Sequence, residues 1–267
     1  MTTLATPLPA ATAAAHPGSF ARDTWLVLVR ELRPVLRDPF SLVVSMAQPL
    51  VFLALFAPLL GDVPGLGDGP ALQWFVPGTI AMTCLFGASM TGSNLLLEMQ
   101  TGSHERLLVA PLRRSALLVG RALKEVVPAV AQGVIVLAVV TPTSFDLHVT
   151  GAVVALLLLA AFSVGVGALS YALALASREQ DWMFWAVQQT LVFPVLLLAG
   201  MLLPVDDGPA WLRAASSLDP LTYVVEAARD LLSGELATAA VGYGWLAALL
   251  VVAVGLAVGT RAVRRAG

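Results

Sequence analysis

In a chain this apolar, chemistry can come only from the few places where ionisable and hydroxyl side chains gather. The densest is Glu98–Arg114, EMQTGSHERLLVAPLRR, a polar and basic island between long apolar runs. Thr101, Gly102 and Ser103 read as a turn. Ser103 is placed to cap a helix, with Glu105 in its first turn, where the helix dipole favours an acid. Pro111 stops that helix after about two turns, because proline lacks an N–H and disfavours helical geometry in the residue before it. The spacing predicts a short helix bearing Glu105, Arg106, Leu107 and Leu108. Charge beside leucine in that form suits docking against a soluble partner, so the helix is expected to act as a lever on the apolar part.

Bond-making chemistry has no foothold elsewhere. There is no G-x-x-x-x-G-K-[ST] loop, no G-x-G-x-x-G after a strand, no H-E-x-x-H and no G-x-S-x-G. His16, His104 and His148 are far apart, and the single cysteine, Cys84, lies in an apolar run, so neither a metal cluster nor an intrachain disulfide is expected. No catalytic, cofactor-binding or metal-binding residue is assigned, and the chain is not expected to be an enzyme. The cores of the apolar runs hold no Asp, Glu, Lys, Arg or His. The nearest are Arg121, Lys124 and Glu125, within snorkelling reach of the surface, where Arg121 and Glu125 can pair at i,i+4. Proton-coupled carriers and intramembrane enzymes keep ionisable groups at depth, so both classes are disfavoured. Gln48, Asn94, Gln132, Gln188 and Gln189 are the deeper polar residues, and bridging between helices is their expected role.

The elements that position these residues follow from composition. Of 267 residues, 58% are hydrophobic and 12% charged, with mean hydropathy +0.85. A soluble domain carries about 25% charged residues, so an integral membrane protein is expected. Residues 1–19, rich in Ala, Thr and Pro, read as a disordered tail and not as a signal peptide. From Phe20 to Asp38, at about 100° per residue, Arg22, Arg30, Arg33 and Arg37 share one arc. Trp25, Leu28, Val29, Leu32, Val35 and Leu36 gather opposite. That is the pattern of an amphipathic helix on a membrane surface, with a kink or division expected at Pro34. Six spans are predicted at Leu42–Leu60, Trp74–Leu97, Ala116–Val140, Gly151–Ala176, Met183–Leu203 and Gly242–Thr260, each near the 20 or so residues that crossing requires.

An even number puts both termini on one side. Thirteen of the fifteen Lys and Arg fall in segments on that side, whereas Arg213 and Arg229 are the only two on the other. By the positive-inside rule the termini and the Glu98–Arg114 island are cytoplasmic, in the plasma (inner) membrane. Segment 204–241 contains a short helix near Pro209–Ser217. A second one starts at the cap Asp219-Pro220, carries Leu221, Val224, Val225, Ala228, Leu231 and Leu232 on one face, and ends at Ser233-Gly234. At about 13 residues it is too short to span, and a re-entrant or interfacial hairpin on the outer face is expected. Gly255 and Gly259 form a G-x-x-x-G, and Ser163, Gly165, Gly167 and Ser170 line another span, both signs of close helix packing. Trp74, Phe75, Trp182, Phe184 and Trp185 sit at span ends as interfacial anchors. Phe52, Phe56, Phe86, Phe193 and Met201 lie deeper. They are candidates for a lipophilic path, or equally for lipid-facing or core packing.

Four stretches together resemble the ABC-2 type transporter permease family, and within it the daunorubicin-resistance-like drug exporters. ELRPVLRDPFSL at 31–42 resembles the amphipathic lead-in to the first span, and FVPGTIAM at 75–82 the Pro-Gly start of the second. GSHERLLVAPLRRSALLVGRALKE at 102–125 is similar to the cytoplasmic coupling segment, and it is the most specific of the four. DPLTYVVEAARDLLSG at 219–234 resembles the family ending, with Pro220, Leu221, Tyr223 and Arg229 in its pattern. The likeness covers about residues 20–260, although the interval from Pro204 to Pro220 is longer than the family's usual pattern.

The resemblance implies an all-α half-transporter in which 20–267 is one transmembrane domain. It would pair with a second permease chain, identical or a sister subunit, and with two copies of a cytoplasmic ATPase that binds ATP and Mg. Ser103, His104, Glu105, Arg106, Leu107 and Leu108 would contact that ATPase, and Arg178, Glu179 and Asp181 would add a smaller contact. Arg113, Arg114, Arg121 and Lys124 would serve as membrane anchors. The amphipathic helix, with Trp25, Arg30, Arg33 and Arg37, would lie beside the coupling segment. Pro220, Tyr223, Glu226 and Arg229 would help close an extracellular gate. The cargo would be lipophilic, with no nucleic acid involved. Export of glycolipid, lipid or polysaccharide is the alternative, and an ATPase-independent channel or scaffold is a more distant one.

Overall fold

The computed structural model describes residues 19–60, 71–103, 107, 112–143, 145–201, 205 and 208–265. Among them every regular element is helical: α1 (Phe20–Arg37), α2 (Pro39–Ser45), α3 (Ala47–Leu60), α4 (Ala71–Gln100), α5 (Arg114–Lys124), α6 (Val126–Val140), α7 (Val149–Ala176), α8 (Asp181–Leu198), α9 (Ala210–Ser216), α10 (Pro220–Leu232) and α11 (Ala239–Arg265). Five stretches are long and apolar enough to cross a bilayer: Leu72–Gln100, Arg114–Val140, Val149–Ala176, Asp181–Leu198 and Ala239–Arg265. The stretch expected as a sixth, 42–60, is divided between α2 and α3, and its apolar part, Val43–Phe56, is shorter.

Two interruptions share one cause. α2 ends at Ser45, four residues before Pro49, and α5 ends at Lys124, four residues before Pro128. A proline cannot donate to the carbonyl four residues back, and its ring crowds that carbonyl. At both places the next amide turns to the carbonyl three back: Met46 to Val43 at 3.1 Å and Glu125 to Ala122 at 3.2 Å. Proline alone is not decisive, because α1 runs undivided through Pro34, and α4 and α8 run through Pro77 and Pro194.

The central helix is α7, packed against α11, α4, α10, α6 and α5. Apolar side chains gain little by leaving lipid for protein, so close packing depends on small residues. At the α7–α11 crossing, a Cβ on Gly165 would fall 2.6 Å from the backbone of Val252, and one on Gly255 would collide with the carbonyl of Gly165. Gly259 faces Leu118 of α5. The G-x-x-x-G therefore serves contacts inside this chain.

One end of the bundle carries α1, the end of α4, the start of α5, the 177–180 turn and the end of α11. The opposite end carries the start of α4, the 145–148 loop, α9 and α10. There Asp219 Oδ1 accepts from the Leu221 amide at 3.0 Å, Pro220 occupies the first turn, and Gly234 closes α10 with a φ of 92°. The six residues of the expected apolar face of α10 are all buried, and Ala227 with them, so the helix is packed within the bundle. The short helix before it is α9.

Candidate functional site

At the α1 end, α1 has three sides and not two. Asp23, Thr24 and Val27 are buried and Glu31 is nearly so; this stripe lies on α5. Trp25, Leu26 and Leu36 remain exposed on the apolar side, and Arg30, Arg33 and Arg37 on the basic side. Gly120 makes the docking possible: a Cβ there would lie 2.7 Å from the Val27 side chain and 2.9 Å from the Thr24 carbonyl. Asp23 Oδ2 accepts from the Arg113 amide at 3.2 Å, tying the start of α1 to the chain just before α5.

Beneath this contact lies a buried charge cluster drawn from four helices. Arg121 Nε stands 3.3 Å from Glu31 Oε1, a charge contact whose angle is not that of a hydrogen bond. Its Nη2 donates to Glu98 Oε2 of α4, and its guanidinium lies 5.5 Å from the ring centroid of Tyr171 on α7. Lys124 Nζ is 3.7 Å from Glu31 Oε2 and 3.9 Å from Glu125 Oε1, and Glu125 accepts from Thr91 Oγ1 at 2.6 Å. With Arg30 on Glu31, three cations meet three carboxylates. Removing Arg121 takes from Glu31 and Glu98 their shared cation in a largely buried site, a loss of about 3–5 kcal/mol, and its contacts tie α1, α4, α5 and α7 together.

The pairing differs from the expected one. Arg121 does not pair with Glu125; it reaches Glu31 and Glu98 on other helices, because the break before Pro128 turns Glu125 toward Thr91. Arg121 and Lys124 are buried ion-pair partners and not surface anchors, whereas Arg113 and Arg114 are exposed. A stripe at Asp23, Val27 and Glu31, spaced i, i+4, i+8, was the available signal for α1's third side.

Of the expected partner-contact residues, Ser103 and Leu107 are helical and partly buried; His104, Glu105, Arg106 and Leu108 lie outside the described residues. Gln100 donates its amide to Asp181, so the chain entering this segment is tied to the first residue of α8. Arg178 and Glu179 are exposed and line a cleft of about 560 Å³ with Gln180, Met183 and Arg265. A second cleft, about 410 Å³, is lined by Arg30, Arg33, Arg37, Glu31 and Glu98.

At the opposite end, Arg229 donates through Nη2 to the Gly200 carbonyl at 2.7 Å and through Nε to the Trp74 carbonyl at 3.2 Å. Its guanidinium lies 4.0 Å from the Trp74 ring centroid. Gln73 donates to the carbonyls of Leu232 and Asp146, and accepts from the Asp146 amide. Tyr223 Oη donates to the Ser217 carbonyl at 2.8 Å, and its ring lies 6.4 Å from that of Tyr243. Glu226 is exposed. Arg229 and Tyr223 thus fasten α10 to α4, to the end of α8 and to the chain after α9.

The deeper aromatics do not converge. Phe52 stacks on Phe56, and Phe56 on Phe75; Phe86 meets Phe193 edge-on at 6.3 Å; Met201 is buried against Gly78. None lines the apolar cavity of about 370 Å³ formed by α4, α7, α8, α10 and α11. Gln132 donates to Ser45 across helices at 3.1 Å. Among the described residues no group of His, Cys, Asp and Glu could hold a metal, and Cys84 is buried.

Membrane-length apolar helices around a small-residue core, with a buried ion-pair cluster at one end and a short packed helix at the other, define a multi-pass membrane protein of permease type. The chain belongs to the ABC-2 type transporter family, which matches residues 22–232. It is 29% identical over 219 residues to "Putative transport permease ycf38" of Cyanophora paradoxa, covering 80% of this chain and 75% of that protein. It is 25% identical over 199 residues to "Daunorubicin resistance ABC transporter permease protein DrrB1" of Streptomyces coeruleorubidus, covering 73% and 70%. It is 26% identical over 163 residues to "Probable multidrug ABC transporter permease YbhR" of Escherichia coli K12, covering 60% and 44%. The chain is therefore the permease subunit of an ABC-2 type transporter. Such permeases lack a nucleotide-binding site and pair with ABC ATPase subunits, which use the ATP.

Proposed function

We propose that this chain is the transmembrane subunit of an exporter of lipophilic compounds, working with a second permease chain and two ATPase subunits. Both termini and the α1 end face the cytoplasm, in keeping with the Lys and Arg count. Ser103–Leu108 is the principal contact with the ATPase, and Arg178, Glu179 and Asp181 form a second. When the ATPase subunits close on ATP, their motion enters at 103–108 and passes through the flanking chain. The first span is completed by α2 and α3, giving six crossings. At the outer end α10, fastened by Arg229 and Tyr223, acts as the gate through which cargo leaves.

One observation carries this reading. The charge cluster joins the helices on both sides of the island, through Glu98 at its start and Arg121 and Lys124 after it, to Glu31 of α1. A push on the island is thereby delivered to α1, α4 and α5 together, the rigid transmission that coupling requires. Lipophilic cargo is supported by the mainly apolar cavity of about 370 Å³, too small to enclose a sugar polymer. It is supported too by the drug-related names of two relatives.

The test is the complex reconstituted with its ATPase. Replacing Glu105 and Arg106 by Ala is expected to abolish substrate-stimulated ATP hydrolysis while membrane insertion is retained. Unchanged stimulation would overturn the coupling assignment.

A further inference from the structure

The apolar cavity holds a polar feature that the transport reading does not use. Leu85, Phe162, Val166, Leu191 and Val192 are typical of its wall. Two side chains in that wall are 5% and 6% exposed, Asp219 and Gln188, and each has a buried oxygen with no hydrogen-bond partner among the described residues: Asp219 Oδ2 and Gln188 Oε1. The other carboxylate oxygen of Asp219 is occupied by the Leu221 amide. A buried acceptor left open is costly, and a carboxylate more so, so an orphaned pair in one wall calls for donors from outside the chain.

The surroundings specify the donor. Among the described residues no cation lines the cavity, so none of them gives Asp219 a counter-charge there. A second apolar cavity, about 810 Å³, shares Leu169, Pro220 and Val251 with the first and extends past Leu218 to Tyr243 and Leu246. Asp219 lines the first cavity, and its neighbour in the chain, Pro220, lines both. An occupant must be mostly apolar and must present an N–H donor, best a charged one, to the Asp219 and Gln188 wall of the first cavity.

We infer that this paired cavity is a binding site for lipophilic amines, with the ammonium group held by Asp219 Oδ2 and Gln188 Oε1 and the apolar body in the two chambers. The assignment names the cargo class for the exporter reading and rests on it.

The test uses the full chain in lipid nanodiscs, with two fluorescent probes on one skeleton: a dansyl-labelled long-chain primary amine and its N-acetyl derivative. The unmodified chain is expected to bind the amine about tenfold to a hundredfold more tightly, the value of hydrogen bonds to a charged group. Asp219→Asn keeps an oxygen for the Leu221 amide but removes the charge, and is expected to erase that preference while leaving the N-acetyl probe's affinity as it was. Gln188→Leu, which touches no helix cap, is expected to weaken amine binding and provides the same reading should Asp219→Asn fold poorly. Equal binding of the two probes, a preference that survives both substitutions, or no binding of either probe would overturn the site. The exporter reading is judged separately: an intact amine preference without ATP-driven movement of the amine in the reconstituted complex would sink that reading and leave the site standing.

Discussion

Arg121 and Glu31 are ninety positions apart in the chain and stand 3.3 Å apart at the α1 end of the bundle, buried where α1 lies on α5. Glu31 also faces Lys124, and Arg121 also holds Glu98, so one contact joins α1 to two membrane-length helices. Structurally it converts a surface helix into part of the bundle. It also ties together the helices on either side of the 101–113 segment.

Arg121→Met is expected to lower stability by about 3–5 kcal/mol, because Glu31 and Glu98 lose their shared cation in a buried site. An SDS unfolding titration of the purified chain measures this. Glu31→Gln is expected to cost less, since Arg121 keeps Glu98. The double variant is expected to fall short of the sum by about 0.5–3 kcal/mol, the coupling of residues in one network. Strict additivity would show that the two side chains act independently.

Gly120→Val is expected to lift α1 from α5. Its Cβ would lie 2.7 Å from the Val27 side chain and 2.9 Å from the Thr24 carbonyl, and backbone cannot yield as a flexible side chain can. Overpacking of this kind costs about 1–3 kcal/mol. The readout is labelling of a Thr24→Cys reporter by a membrane-impermeant maleimide, with the buried Cys84 giving little background. Labelling is expected to rise sharply in Gly120→Val; an unchanged rate would mean that α1 tolerates the extra volume where it lies.

Much of the fold was legible because its signals are local. Long apolar runs made helices, Asp219-Pro220 started α10, and its apolar spacing named the buried face. What was not legible depends on distance. Spacing within one helix offered Glu125 to Arg121, and nothing in that spacing could weigh Glu31 on another helix against it. Reading α1 as two faces hid the narrow Asp23–Val27–Glu31 stripe, which declares itself only once α5 is beside it. The prolines show the same limit. Pro49 and Pro128 divide helices while Pro34, Pro77 and Pro194 do not, so local chemistry permits a break and the packing decides it. At the cavity, the Asp219-Pro220 pair declares a helix cap, which uses one oxygen; what the other oxygen faces depends on walls supplied by other helices.

Arg229→Lys is expected to weaken the outer fastening although the charge is retained. The guanidinium donates to two carbonyls from different elements and stacks on Trp74, and a single ammonium cannot reproduce that planar geometry. Losing one such bond leaves a buried carbonyl short of a donor, about 1–3 kcal/mol in the same titration. Trp74→Leu removes the ring but leaves both carbonyl bonds, and is expected to cost about 0.5–2 kcal/mol. Arg229→Lys costing nothing would show that charge alone is what this position supplies.

The last prediction concerns pH. Burial pushes the Asp219 carboxyl up from 3.8 to about 6, against the opposing pull of the Leu221 amide. The folded state therefore keeps a proton that the unfolded chain releases near pH 4, an ordinary carboxylate value. Stability changes with pH as the protons bound in the unfolded state minus those bound in the folded state. Between about pH 4 and pH 6 the folded state binds more at this residue, so its contribution falls as pH rises and levels off above about 6. Other carboxylates titrate in the same range, so the comparison is with Asp219→Asn, which lacks the group but keeps the cap. The difference in SDS unfolding midpoint between the two chains is expected to shift against the unmodified chain across pH 4–6. A lipophilic amine bound at Asp219 should oppose that loss at the upper end, because the ammonium supplies the charge that the burial withholds. A difference that stays flat from pH 4 to pH 7 would mean that water reaches the carboxylate in the folded chain.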